Sequence, residues 1–402
     1  MISQIQKTYE KHPYPATDES ALTRRRWNLA PMEWINALWK PDRKDFAPKR
    51  ILIAGCGTGS EAFALRRRFP KARLVAVDFS SRSVSIARRL QQRAPEMRNI
   101  RFLVADLAKR NLGKITGDGF DFVSCHGVLS YVPEPGRVLS NLASRLKADG
   151  ALYLGVNGAQ HFSTRGRSFL PAFGFDMTEL REGPYLRNLL KLWDAIVNQH
   201  GSARLAKLSA GYLAGDLFGS LIHNLPLSNW VRFARDAGLH FQGSYSSWHG
   251  LRSAMENDFP HLLIPRSRAE VYALLELLNP APFHRLLFTV QALATPPWEN
   301  QEALRNCRPV LTNLYAMRLP TRSRSSLLRR VTFKSPPVNT RLDWRMPEWE
   351  VEIVRQSDGR RTLGTILHQI STAVPPHLLR QQLYVLDQLL VITLMPQRTS
   401  VR

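Results

Sequence analysis

The sequence predicts an α/β fold: a doubly wound, mostly parallel sheet with a helical insertion, followed by a small α+β C-terminal domain. Three observations predict it. An apolar run, Ile51–Ala54, leads straight into Gly55, Gly57 and Gly59 and then into an amphipathic stretch, Ser60–Phe69. Strand-like and helix-like stretches then alternate as far as Val156, the pattern of right-handed crossovers. Two of those strands close on an acid, Asp78 and Asp106.

Taken in order, residues 1–49 read as an N-terminal arm or lid. They hold an aromatic and proline cluster, Tyr9, His12, Pro13, Tyr14 and Pro15, which proline restricts to an extended or turned path. Trp27, Trp34 and Trp39 follow and read as packing residues. The main domain spans 50–294. After the glycine stretch come a strand over Ala72–Asp78, a helix that Ser80 or Ser81 can cap, and strands over Ile100–Asp106 and Phe120–Cys125. A helix over Pro135–Leu146, a turn at Asp149-Gly150 and a strand over Ala151–Val156 complete the alternation. Residues 157–228 form a helical insertion with a helix at Tyr185–Val197, placed where inserted segments cover substrate sites. A helix capped by Ser228, a strand over Leu239–Trp248, a helical pair within Leu251–Leu278 and a strand over Arg285–Val290 end the domain. Thr295-Pro296-Pro297 marks a boundary, and residues 298–402 change character. There a basic stretch, Arg318–Lys334, precedes helices expected at Trp344–Arg355, Leu363–Ile370 and Pro376–Leu389 and a strand at Leu390–Leu394.

The glycine spacing narrows the ligand. Glycine lacks a Cβ, so the chain can pass close beneath a bound group and adopt positive φ. The dinucleotide fingerprint Gly-x-Gly-x-x-Gly fails, because Ser60 stands where its third glycine belongs, and no Gly-Lys-Ser/Thr phosphate loop is present. Gly-x-Gly-x-Gly after an apolar strand resembles the first motif of the class I S-adenosylmethionine-dependent methyltransferases. Either acid alone also suits a helix cap or a solvated loop; two in register with the glycines suit a nucleoside, since a carboxylate accepts from two hydroxyls. The resemblance implies a Rossmann-like seven-stranded sheet whose last strand is antiparallel, with S-adenosylmethionine as cofactor. It implies that Gly55, Gly57 and Gly59 lie under the methionine and ribose, that Asp78 holds the ribose hydroxyls with Phe79 beside it, and that Asp106 and Leu107 hold the adenine. Cys125 would lie near the sulfonium. The arm resembles that of a bacterial group in which Tyr-x-x-x-Pro-Tyr-Pro helps close the cofactor site, which adds Tyr14. The end of the chain resembles small winged-helix modules of some bacterial methyltransferases.

The loop after the fourth strand bears on the reaction. Ser124-Cys125-His126-Gly127 does not match the Asn/Asp/Ser-Pro-Pro-aromatic signature of enzymes that methylate adenine or glutamine amides, and Asn279-Pro280-Ala281-Pro282-Phe283 lies outside this loop. Gly127-Val128-Leu129-Ser130-Tyr131 resembles a Gly-Val-Leu-His-His stretch of related enzymes, with Ser130 and Tyr131 in place of the histidines. Methyl transfer needs a base only where the acceptor carries a proton, and here the candidates are His126 and Tyr131. His126 also suits a purely structural hydrogen bond beside the cofactor.

Composition bounds the rest. The formal net charge of +24 over 402 residues favours anionic partners, or else reflects solvated cationic faces. No apolar run reaches membrane-spanning length, and the N-terminus lacks the apolar core of a signal peptide. Three cysteines, Cys56, Cys125 and Cys307, have no metal-ligand spacing and suggest a reducing, cytoplasmic setting. The expectation is therefore a methyltransferase acting on an oxygen or nitrogen of a macromolecule or bulky metabolite, with protein or metabolite favoured over nucleic acid. The competing class is a non-catalytic cofactor-binding regulator that works through its C-terminal module.

Overall fold

Parallel strands rich in Val, Ile and Leu must be covered on both faces, and helices between successive strands do this. The computed structural model describes residues 4–15, 18–23, 30–43, 46–197, 205–256, 264, 266–318, 328–335, 340–370 and 374–396. Trp27, the Arg24–Arg26 cluster and residues 319–327 of the basic stretch lie outside the described residues.

The elements begin with α1 (Gln4–Lys11), α2 (Ser20–Thr23), α3 (Met32–Trp39), β1 (Arg50–Ala54), α4 (Ser60–Arg68), β2 (Arg73–Asp78), α5 (Ser81–Gln92) and β3 (Ile100–Val104). Next come α6 (Leu112–Thr116), β4 (Phe120–His126), α7 (Pro135–Ala143) and β5 (Leu146–Asn157). The insertion and the end of the sheet supply α8 (Phe162–Phe169), α9 (Pro184–Val197), α10 (Ala210–Asp216), α11 (Leu227–Asp236), β6 (His240–Ser244), α12 (Trp248–Glu256), α13 (Arg268–Leu278) and β7 (Phe283–Thr289). The remainder is α14 (Gln301–Arg305), β8 (Arg308–Leu311), β9 (Ala316–Arg318), β10 (Leu328–Ser335), β11 (Thr340–Pro347), α15 (Glu348–Gln356), α16 (Leu363–Gln369), α17 (Pro376–Gln388) and β12 (Ile392–Met395).

Seven strands make one sheet in the order β3-β2-β1-β4-β5-β7-β6. β1 pairs in parallel with β2 and β4, β2 with β3, and β4 with β5, whereas β6 and β7 are antiparallel. The order reverses between β1 and β4, so a crevice opens at the carboxyl ends of those strands, where open α/β sheets take their ligands. Ile51, Leu52, Ile53, Phe122, Val123, Leu152 and Leu154 are fully buried or nearly so. The Ser80 hydroxyl accepts from Ser83 N at 3.1 Å and caps α5, as its place after the strand predicts.

By packing, the chain divides into two compact units. The first comprises Met1–Leu29, Ala47–Leu239 and Pro280–His284; the second comprises Ala30–Phe46, His240–Asn279 and Arg285–Arg402. In the first, the insertion builds a small core of its own from Leu170, Leu186, Leu190, Leu213, Leu217 and Phe218. In the second, Trp34 meets Tyr245 edge-on with ring centroids 5.5 Å apart, which explains why residues 30–46, read with the arm on sequence, pack here. The second unit also holds an antiparallel sheet, β11-β10-β9, and a two-stranded pair, β12-β8.

Three local expectations differ from what is found. Lys147–Gly150 is part of β5 rather than a turn, because the β4–β5 register jumps between Phe120 and Phe122 and the irregularity absorbs those residues. The helix expected from Ser228 starts at Leu227 after Pro226, since proline cannot supply the preceding N–H and sits readily at a helix start. The helix expected at Trp344 starts only at Glu348; Trp344 lies in β11 opposite Val331, and the buried Val331, Phe333 and Met346 show the alternation of a strand. Among the described residues no helix is long and apolar enough to cross a membrane.

Candidate active site

The chain leaves β1 through three residues of positive φ, Gly55 at 80°, Gly57 at 49° and Gly59 at 95°. Gly55 N and Cys56 N both donate to Val77 O, at 2.7 and 2.9 Å, which ties the turn to the end of β2. Gly57 N then donates to Asp78 Oδ2 at 2.8 Å, and Ser80 N donates to Oδ1 at 2.9 Å. Asp78 thus faces the turn. Burial pushes its carboxyl up to about 6, while the Ser80 and Gly57 amides pull it back and the Glu10 charge adds to the rise. One residue on, Ala105 N donates to Asp78 O at 2.9 Å and sets the ends of β2 and β3 level. Asp106 follows, exposed, with Oδ1 accepting from Ala108 N at 2.9 Å. Leu107 beside it is buried.

These residues fit the nucleoside that the sequence leads one to expect. An ionised carboxylate offers about four acceptor positions, and the Gly57 and Ser80 amides leave Asp78 others free for hydroxyls. Asp106 projects from the adjacent strand end with an exposed carboxylate. The glycines serve the protein's own packing as well: a Cβ on Gly55 would stand 2.1 Å from Val128 Cγ2, which brings the loop after β4 hard against the turn.

The arm closes on the same place. Tyr14 O accepts from Thr58 N at 2.9 Å, and a Cβ on Gly57 would stand 2.3 Å from that carbonyl. Gln6 Nε2 donates to Phe79 O at 3.0 Å, and the Tyr9 ring meets Phe79 edge-on at 5.7 Å. Glu10 accepts from Ser81 N at 2.7 Å and Arg82 N at 3.1 Å, capping the positive end of α5. Gly57→Ala is therefore expected to release the arm, because its Cβ meets backbone and its left-handed φ adds about 1–2 kcal/mol for a residue with a side chain. Faster amide exchange at Thr58 and faster tryptic cleavage after Lys11 check this; wild-type rates for both contradict it.

Beyond the turn, polar side chains of the first unit join in one chain. Tyr131 donates its hydroxyl to Asp216 Oδ1, and Tyr212 bonds the same carboxylate from one helical turn earlier. Asn157 Nδ2 lies 3.2 Å from Tyr131 Oη and donates to Asn224 Oδ1 at 3.1 Å. Asn224 Nδ2 donates to Ser163 Oγ at 2.9 Å, which lies 2.8 Å from His161 Nδ1. Burial raises the Asp216 carboxyl to about 6 against the pull of the two phenols, and holds the His161 imidazole down to about 4. Tyr9 links this cluster to the turn: after burial itself, the charges of Asp216 and Asp78 are what raise its phenol, and the Tyr14 ring meets Tyr212 edge-on at 5.7 Å.

Of the residues singled out on sequence, the structure gathers Gly55, Gly57, Gly59, Asp78, Phe79 and Tyr14 at the turn and brings Tyr131 into the polar cluster. Ser130, in place of a histidine, is buried and structural: its hydroxyl accepts from Asn157 N at 2.8 Å and its carbonyl from His223 N at 2.7 Å. His126 lies over Gly155, with its Nδ1 3.3 Å from the Tyr153 hydroxyl and its ring 5.1 Å from that of Phe283. Cys125 has no accessible surface, and burial together with the Glu61 charge pushes its thiol up. Asp216, Tyr212 and Asn157 went unread. The signal that could have found two of them is Tyr212 and Asp216 at helical i, i+4 spacing, which puts both on one face.

Residues 52–152 match the family model of a methyltransferase domain. An uncharacterized protein of Synechococcus is 36% identical over 107 residues, 27% of this chain and 25% of that protein. A malonyl-[acyl-carrier protein] O-methyltransferase of Halalkalibacterium halodurans is 30% identical over 128 residues, 32% of this chain and 46% of that protein. The chain thus spans from a quarter to just under half of the length of these two curated relatives. The fold is similar to that of PKMT2 from Rickettsia typhi, solved in complex with AdoHcy, with a TM-score of 0.52 and 14% identity over 96% of this chain and 78% of that one. The methyltransferase-domain match thus covers the glycine turn and runs into β5, on a seven-stranded sheet of the order given above.

Proposed function

We propose that this protein transfers the methyl group of S-adenosylmethionine to an oxygen or nitrogen of an acceptor that enters beside Tyr131. Bound at the turn, the cofactor supplies an electrophilic methyl on a sulfonium. Asp78 accepts from the ribose hydroxyls, with Phe79 beside it, Asp106 and Leu107 border the adenine, and Tyr14 covers the turn. The observation that carries the reading is that one arm touches both places: Tyr14 O binds Thr58 N while its ring packs on Tyr212, the partner of Asp216.

The acceptor's class rests on weaker support. Curated relatives named as O-methyltransferases, one for malonyl-[acyl-carrier protein] and one in ubiquinone biosynthesis, support an oxygen acceptor on a carrier protein or a metabolite. A net charge of +24 supports an anionic acceptor or carrier, with nucleic acid the less favoured case. We assign the binding of that partner to residues 298–402, a winged-helix-like module on our reading. We infer a cytoplasmic setting from three cysteines that are all free and buried. The replacement of histidines by Ser130 and Tyr131 motivates the regulatory alternative; the bond from Tyr131 to Asp216 favours the catalytic one.

Two measurements test the proposal. Calorimetry is expected to show S-adenosylmethionine binding at one site. Lysate from cells lacking the protein is expected to gain a labelled methyl group when the protein and labelled cofactor are added. Binding with no labelled product in lysate or small-molecule extract would leave the regulatory role and remove the catalytic one.

A further inference from the structure

We propose that Asp216 is the terminal proton acceptor of this site, reached through Tyr131, with Tyr212 as the residue that positions it. The inference rests on the methyltransferase reading above and adds the group that takes the acceptor's proton.

The geometry is that of a two-step relay. Asp216 ends α10, where Tyr131 from the turn after β4 donates to its Oδ1. Tyr131 is buried and its phenol oxygen also lies 3.2 Å from Asn157 Nδ2, so its orientation is fixed from both sides. A phenol held in this way can take a proton at oxygen while it gives its own to the carboxylate. Tyr212, one helical turn earlier on the same face, donates to the same carboxylate and has little freedom to swing away. Asp216 itself keeps partial solvent access, which a group that must later release a proton needs.

The step balances. The acceptor, X–H, forms an X–C bond as the carbon–sulfur bond breaks, with that electron pair going to sulfur. The proton of X–H passes to the Tyr131 oxygen as Tyr131 passes its own proton to Asp216. The positive charge on sulfur and the negative charge on the carboxylate vanish together, and no further reagent is needed.

The groups around Asp216 are consistent with this role. Tyr131 faces it from the β4 turn and Tyr212 from its own helix, and its charge also acts on Tyr9 of α1, as that of Asp78 does. Burial brings the carboxyl to about 6, so it is ionised at neutral pH and becomes protonated just below. His126, the other candidate base, is instead engaged with Tyr153 and Phe283.

The test uses the full chain, labelled S-adenosylmethionine, lysate lacking the protein, and S-adenosylhomocysteine as the binding probe. With S-adenosylmethionine kept saturating at every pH, so that the Asp78-dependent affinity does not enter the profile, wild-type transfer is expected to fall as pH drops through about 6, and Asp216→Asn to lower transfer about 100-fold and abolish that acid limb. S-adenosylhomocysteine affinity is expected to stay at the wild-type value in Asp216→Asn, which also reports that the variant is folded. Asp216→Glu is expected to restore part of the rate and the acid limb. Tyr131→Phe is expected to lower transfer about tenfold or more, with the cofactor still bound. Transfer or an acid limb that survives Asp216→Asn overturns the proposal alone, and so does loss of S-adenosylhomocysteine binding in that variant. A wild-type protein that does not bind the probe, or binds it without transfer, overturns the methyltransferase reading and this proposal with it.

Discussion

Asp78→Ala is expected to weaken S-adenosylmethionine binding by about 1–3 kcal/mol, the range for losing hydrogen bonds to a charged group, which is about 5- to 150-fold in Kd. The carboxylate has two duties, and they must be separated. It accepts from Gly57 N and Ser80 N, and on our reading it also accepts from the ribose. The turn keeps two other anchors in the variant, the bonds from Gly55 N and Cys56 N to Val77 O. Ser80 keeps its side-chain cap on Ser83 N. The turn is thus expected to survive and the larger loss to fall on binding. Asp78→Asn is expected to lie between wild type and alanine, because the amide oxygen still accepts while its NH2 group opposes one of the two amide donors. Burial holds the carboxyl at about 6, so wild-type affinity should fall as pH drops through that value and the charge is lost, and the alanine variant should lack this dependence. Calorimetry on the three proteins between about pH 5 and 8 gives the answer. Equal affinities at every pH move Asp78 out of the cofactor site.

The parts of this site that were legible in the sequence are those with a local cause. A glycine turn after an apolar strand needs only ten residues to announce itself, and acids that end strands lie at fixed offsets from it. The strand–helix alternation was legible for the same reason, since each amphipathic helix signals its own buried face. Asp216 was not legible because nothing local distinguishes it: it ends a seven-residue helix inside the insertion, and its meaning comes from Tyr131, 85 residues earlier. Tyr131 was chosen for its place in the loop, and the structure supplies the partner. Ser130 shows the converse. Its place in a stretch that resembles Gly-Val-Leu-His-His suggests a change in the reaction, yet its hydroxyl is spent on Asn157 N and its carbonyl on His223 N. The β11 error has a tertiary cause. Trp344 and Met346 sit in a stretch whose composition permits a helix, and pairing with β10 decides for a strand.

Asp387→Ala is expected to be the most destabilising change to the second unit, by about 3–5 kcal/mol, the range for stranding one partner of a buried pair. Arg268 Nη2 donates to Asp387 Oδ2 at 3.0 Å and to its carbonyl at 2.9 Å, and Leu394 N donates to Oδ1 at 3.2 Å. The Asp387 side chain is 4% exposed and that of Arg268 17%. Truncation therefore leaves a largely buried guanidinium facing a void and removes the acceptor for an amide of β12. The neighbouring Tyr384 is unaffected in its own bond, 3.1 Å to Arg266 O, so the loss should stay local to this corner. Burial raises the carboxyl of Asp387, and the Arg268 charge and the Leu394 amide only partly offset it. The sign follows. A carboxyl raised in the folded state favours folding most below its unfolded pKa, and that contribution is lost as pH rises through the folded value. Asp387→Asn, which keeps an acceptor for Leu394 N and carries no charge, is thus expected to cost less than alanine and to flatten the pH dependence of unfolding. Denaturant melts of the full chain check this, followed by tryptophan fluorescence to which Trp298, its ring centroid 5.1 Å from that of Tyr384, contributes. Alanine and asparagine variants as stable as wild type would show that the Arg268 bond to the Asp387 carbonyl suffices by itself.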